Sequence, residues 1–264
     1  MKRFHAYIGN FLLGARLAWN DRTDLFSTLL IYTTLMTVFN AIYSVFPLQE
    51  LGHPDLTHGH LLWYFAITEI VIVSVQGSER ELGRLIAEGQ ITTLIQRPLS
   101  LIGLTQTRML GYVCVNAGVL ILFALLTVPF LTGLAIPMPV EALPLLVLSI
   151  LLGIILFLML GYAVCTIEIF GPYSRPVGWI LNKIIFTFGG LFFPVMFFPE
   201  LLQKITWLTP FPAIITVPGN FVLVQDMHIH LIGIGHQLVW LLVLCGVAKL
   251  AEYKMIQTVL TRGD

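Results

Sequence analysis

Long apolar runs alternate with short polar ones along this chain, and those at 25–47, 61–77, 109–131, 143–167, 177–198 and 231–250 have the length of a bilayer crossing. A spanning helix needs ~20 mainly apolar residues, because each advances the chain ~1.5 Å through a hydrocarbon core ~30 Å thick. The pattern therefore predicts an all-α integral membrane protein with six transmembrane helices, 1–264 forming one membrane domain.

Ahead of the first run, residues 1–24 predict a helix of a different kind. Phe4, Tyr7, Ile8, Phe11, Leu12, Ala15 and Trp19 fall on one stripe of a helical wheel, while Lys2, His5, Asn10, Arg16 and Asn20 lie away from it. That is the pattern of an interfacial helix in the headgroup plane. The polar interruptions and the lack of a small-residue cleavage site argue against reading it as a signal peptide.

Residues 78–100 form a long polar interruption between crossings. Ser78 with Glu81 has capping-box spacing, Glu81 to Arg84 and Arg84 to Glu88 have ion-pair spacing on a helix, and Gly89 is placed to end it. Leu82, Leu85 and Ile86 supply an apolar edge, and Ile91, Leu94 and Ile95 a second apolar turn before Arg97 and Pro98. A short, rigid amphipathic helix can transmit force, which a floppy loop cannot.

A further proline-rich stretch follows the fifth run. Pro194, Pro199, Pro210, Pro212 and Pro218 forbid one continuous helix, yet Phe192, Phe193, Phe197, Phe198, Trp207 and Phe211 are too apolar for an open loop. Short helices between the prolines, at the outer interface where aromatic side chains settle, reconcile the two.

Composition narrows the class. Hydrophobic residues make up 57% of the chain and charged residues 11%, against about 25% charged in a soluble domain. The formal net charge is 0, but the placement of the cations is informative. The lysines and arginines fall on one side if the N-terminus and alternate loops are cytosolic, with Lys204 outside and Lys183 within a run. Both termini are then cytosolic by the positive-inside rule. Cys114, Cys165 and Cys245 all sit in apolar runs and read as small hydrophobes rather than a disulfide or zinc framework.

Ionisable residues inside the runs carry a functional expectation, since each costs ~2.5–3.5 kcal/mol or more near the bilayer centre unless solvated or paired. Glu69 and Lys183 qualify, both roughly 10 Å from the cytosolic end of their runs at ~1.5 Å per residue. They could pair. Glu168, near the cytosolic boundary, reads as an anchor. No zinc-protease, serine-elbow or phosphate-loop motif occurs, so any ATP hydrolysis belongs to another polypeptide. His58 with His60 and His228 with His230 read as loop histidines, and no metal is assigned.

The order of these parts, with GRLIAEGQITTLIQRPLS after the second run and GGLFFPVMFFPELLQKITWLTPFPAII before the last, resembles the ABC-2 (export-type) permeases of ATP-binding-cassette transporters. The resemblance covers essentially the whole chain. It implies that Glu79, Glu81, Arg84 and Glu88 lie on a cytosolic coupling helix that docks on an ATPase. It also implies that 199–220, with Pro194, Pro199, Trp207, Pro210 and Pro212 around it, folds back as outer re-entrant helices between helices 5 and 6, and that Glu69 and Lys183 flank the translocation pathway. The implied partners are two cytosolic ATP-binding-cassette ATPase subunits, a second permease subunit, identical or related, and membrane lipid, with no nucleic acid. The chain itself needs no cofactor, ATP and Mg residing on the ATPase. The implied function is a permease half for a hydrophobic or amphipathic substrate in a bacterial cytoplasmic (inner) membrane. A membrane-embedded enzyme or assembly factor without an ATPase is the alternative.

Overall fold

The computed structural model describes residues 2–48, 55–75, 81–96 and 99–262. Helices account for nearly all of them, in the order α1 (Lys2–Asn20), α2 (Arg22–Ser44), α3 (His58–Val75), α4 (Glu81–Ala87), α5 (Ile91–Ile95), α6 (Leu101–Thr132), α7 (Leu143–Cys165), α8 (Ser174–Phe188), α9 (Glu200–Trp207), α10 (Phe211–Ile214), α11 (Thr216–Gly219) and α12 (Met227–Arg262). Five of these, α2, α3, α6, α7 and α12, are long and apolar enough to cross a membrane.

α3 is the centre. It is apolar on every face, and Leu61, Leu62, Tyr64, Phe65, Ala66 and Val71 are fully buried. A helix without a polar face belongs inside the bundle. Tyr32 on α2 donates to the Ala66 carbonyl (3.2 Å) and Phe39 stacks on Phe65. On the other side Trp63 Nε1 donates to the Leu134 carbonyl beyond the end of α6 (3.0 Å).

Directions follow from pairings along the helices. Ser149 meets Gln237 and Tyr162 meets Glu252, so α7 and α12 run parallel. The start of α6 and the end of α7 meet at the same Glu252 oxygen, through Ile102 N–H and Tyr162 OH, so those two are antiparallel.

Several boundaries differ from the hydropathy pattern. α6 begins at Leu101 instead of 109, because Ser100 caps it, accepting from Gly103 N–H, and its polar first turns are covered by α1. It ends at Gly133, whose φ of +69° closes the last turn on Pro129. α12 runs to Arg262, well past 250. The fifth run, 177–198, is not one helix. α8 has 15 residues, short of the ~20 a full crossing takes, and ends at a Gly189-Gly190 turn in which Gly190 has φ +76°.

α1 is docked and not merely laid on the surface. Asp21 breaks the chain after it and caps α2, accepting from Asp24 N–H at 3.0 Å. Gly14 and Gly111 let the α1 and α6 backbones touch, Asn10 Nδ2 donates to the Leu104 carbonyl (2.8 Å), and Ala18 is buried. Such close approach between helices uses small residues. The predicted stripe is thereby split. Tyr7, Phe11 and Ala15 turn toward α6, while Phe4, Ile8, Leu12 and Trp19 remain exposed.

Candidate functional site

α4 opens with Glu81, whose side chain is outside the described set, as are Ser78 and Glu79. From Leu82 onward the helix has two faces. Leu82, Leu85 and Ile86 are buried. They pack toward a 3₁₀ turn at Thr166–Phe170, helped by Gly83, where a Cβ would stand 3.2 Å from Ser174 Oγ and 3.5 Å from Cys165 Sγ. The opposite face carries Arg84, which grips both Glu88 oxygens (2.8 and 2.9 Å), while Gln90 Nε2 donates to Glu88 Oε2 (2.8 Å). Gly89, at φ +70°, stops the helix, with Gln90 N–H returning to the Leu85 carbonyl. Ile91 then buries the start of α5.

A cleft of about 450 Å³ opens beside this pair, between Ile86, Gly89 and Ile91 on one side and Glu168, Gly171 and Val259 on the other. Glu168 anchors this wall. Its Oε2 accepts from Ser174 N–H (3.0 Å), placing negative charge at the N-terminus of α8. Nearby, Glu252 accepts from Ile102 N–H (3.0 Å) and Tyr162 OH (3.1 Å), joining α12 and α7 to the start of α6 just after the charged region. Glu252 escaped the sequence reading because it lies beyond the apolar window. Its signal was a lone acid on a helical pattern that continued.

Glu69 and Lys183 do not meet. Glu69 is 3% exposed on the all-buried α3 and, among the described residues, takes part in no ion pair or hydrogen bond. Lys183 is exposed on α8, its ammonium 5.5 Å from the centres of the Trp179 and Phe186 rings. Counting residues had placed them at one depth. The azimuth of each helix separates them. Alanine substitutions at the two positions are therefore expected to add in a double-mutant cycle on thermal unfolding, with an interaction term below about 0.5 kcal/mol.

The proline-aromatic segment folds as short helices with its prolines at their starts. Pro194 precedes a 3₁₀ turn at Val195–Phe197, Pro199 caps α9, Pro210 caps α10 and Pro212 opens it. The segment has two parts. α9 is exposed, its Lys204 paired with Glu200, and Trp207 at its end sets an edge against His236. α10 and α11 are buried apart from the half-buried Phe211, between α3, α7 and α12. Gln237 holds them there: its Nε2 donates to the carbonyls of Ala213 (2.8 Å) and Ser149 (2.9 Å), and its Oε1 accepts from Ser149 Oγ (3.0 Å). Hydroxyls fix the turn ahead of the segment, Thr216 donating to the Gly189 carbonyl and Tyr64 to that of Gly190, each at 2.6 Å.

His60 Nδ1 bonds to Thr57, and His230 stacks flat on Phe221. Among the described residues no cluster of three metal-ligating side chains occurs.

Five helices long and apolar enough to cross a membrane, with α3 buried among its neighbours, a two-faced charged α4 and a folded-back segment ahead of α12, are the architecture of a polytopic membrane protein. A family model described as ABC-2 family transporter protein matches residues 29–259. The chain belongs to the ABC-2 transporter family and is an ABC transporter permease. No curated protein matches it.

Proposed function

We propose that this chain is one permease half of an ATP-driven exporter in a bacterial inner membrane, with α4 and α5 as the coupling element. The observation that carries this reading is the two-faced α4: an apolar edge locked into the body and an ion-paired face, Arg84 with Glu88, left outside. Pressure on the outer face would pass through Leu82 and Leu85 to the turn before α8, and through the short link after α5 to α6. Two ATPase subunits carrying ATP and Mg would supply that pressure, and a second permease, identical or related, would complete the pathway.

α8 serves as the sixth crossing in this reading. α7 and α12 are parallel, so the chain has to return between them, and α8 is the helix that climbs back. Both termini then lie in the cytosol, in line with the distribution of Lys and Arg. Lys183, on the exposed face of α8, looks onto the pathway between the two permeases. Glu69, buried on α3, would reach that pathway only through a rearrangement of the helices around it. The aromatic, weakly polar lining suits a hydrophobic or amphipathic substrate, and α9 to α11 form the exit.

Charge reversal on the outer face tests the coupling assignment. Glu88 is half-exposed, and an exposed ion pair at this spacing contributes about 0.5 kcal/mol, so the fold should survive its loss. Glu81→Arg and Glu88→Arg are each expected to lower transport-coupled ATP hydrolysis of the purified complex at least tenfold with an unchanged unfolding midpoint. Unaltered hydrolysis in both would remove α4 from the ATPase interface.

A further inference from the structure

Both outlets of the charged helix pair lead to one atom. α4 packs on the 3₁₀ turn at Thr166–Phe170, which continues directly from α7, and the buried Tyr162 stands one turn back along α7. α5 leads within a few residues into α6, whose first turn carries Ile102. Ile102 N–H (3.0 Å) and Tyr162 OH (3.1 Å) both donate to Glu252 Oε1 on α12. The contact with α6 is a helix cap supplied by another helix. Ser100 Oγ meets Gly103 N–H, and Glu252 meets an N–H that no carbonyl within α6 can reach, bringing negative charge to the N-terminus. A displacement of α6 or of α7 at this end therefore pulls on the same side chain.

Where that pull goes is set by the far end of α12. Neither α12 nor α7 beyond its first turn contains a proline, so both are uninterrupted rods. They run parallel and are tied a second time by Gln237 and Ser149, roughly 20 Å from Glu252 at ~1.5 Å per residue. Gln237 also holds the Ala213 carbonyl of α10 (2.8 Å). α7 touches the same short helix through its backbone, since a Cβ at Gly153 would stand 2.7 Å from the Ile214 carbonyl oxygen. The α7 and α12 pair thus joins the charged helices at one end to the folded-back segment at the other.

We propose that Glu252 is the positioning residue at which displacement of the coupling element enters the α7 and α12 pair, and that Gln237 passes it on to α10. Movement at α4 and α5 driven by ATP thereby loosens α10 and α11 in the bundle. This role rests on α4 and α5 being the coupling element. It needs an acceptor oxygen that meets two donors at once. An amide oxygen can accept both bonds as well, whereas a leucine side chain accepts neither.

The test is hydrogen–deuterium exchange of the purified complex of permease and ATPase, with and without ATP, Mg and vanadate, read at 81–95 and at 211–219. In the unaltered protein, exchange at 211–219 should rise about threefold on trapping, the effect on local opening of losing one hydrogen bond between membrane helices. Glu252→Leu should abolish that rise while 81–95 still responds, and Glu252→Gln should retain it. A Glu252 that only props up the fold would instead speed exchange equally in both states and leave their ratio as it was. Tyr162→Phe removes one of the two donors and keeps the ring, so it should weaken the rise, and it decides the matter if Glu252→Leu does not assemble. No rise in the unaltered protein, or a rise of full size in these two variants, would overturn the proposal; in the second case α3, which packs on α11, carries the movement. The coupling role of α4 is judged on a different peptide. If 211–219 responds and 81–95 does not, the ATPase acts elsewhere, and the Glu252 variants still decide whether α12 transmits.

Discussion

Gly111→Ala is expected to prise α1 away from α6. A Cβ at Gly111 would stand 2.0 Å from the Phe11 carbonyl oxygen, and one at Gly14 would stand 1.9 Å from that of Arg108. Both obstacles are backbone, so no side-chain rotation relieves them. The helices must separate instead, loosening the burial of Ala18 and the Asn10 bond to Leu104. Overpacking of this kind costs about 3 kcal/mol at the upper end of its usual range. The control lies on the same helix. Gly118 has nothing within 4 Å of its added carbon, so Gly118→Ala should be neutral or stabilise by up to about 1 kcal/mol, the helix propensity gain. The unfolding midpoint in detergent should fall in Gly111→Ala and hold or rise in Gly118→Ala, and protease should reach α1 sooner in Gly111→Ala alone. Equal shifts in the two variants would mean that α1 does not lie against α6 at this point.

Signals that are local in sequence were the ones that could be read from it. The charged helix was legible because Arg84 and Glu88 sit one turn apart and Gly89 follows directly, and each of those features depends on residues within a few positions. Crossing helices were legible because hydropathy is additive along a window. Their ends were not. Arg108, Gln106 and Thr105 depress the window and hid the first turns of α6, although burial under α1 and the Glu252 bond to Ile102 make those turns sound. In the fifth run the window stayed apolar through Gly189 and Gly190, but hydropathy does not register a positive φ. Depth could be counted for Glu69 and Lys183, but azimuth could not, since it depends on which neighbour each helix packs against. Gln237 was passed over because it is uncharged, and attention in a membrane span goes first to ionisable groups.

That amide supplies the other large expected effect. Gln237→Leu keeps the side-chain volume and removes three hydrogen bonds, stranding the Ala213 carbonyl and Ser149 Oγ in the bundle interior. Two opposing magnitudes bear on the cost. Hydrogen bonds between membrane helices average about 0.6 kcal/mol, because the disrupted state finds other partners. A buried group left unmet costs about 1–3 kcal/mol. The second should dominate at Ala213, which is fully buried, belongs to the four-residue α10 and is enclosed by α7 and α12. A loss of about 2–3 kcal/mol is expected for Gln237→Leu. Ser149→Ala, which leaves the Ala213 contact intact but the buried Gln237 Oε1 unmet, should cost about 1 kcal/mol, at the lower end for an unmet group. The double variant should lose less than the sum, since Ser149 Oγ is no longer present to be stranded. Thermal unfolding of the four proteins in detergent reads all three terms. Equal losses in the two single variants would mean that α10 is held in the bundle by the packing of Pro212, Ala213 and Ile214 and not by the amide, and the folded-back segment would then be free to shift without breaking a polar bond.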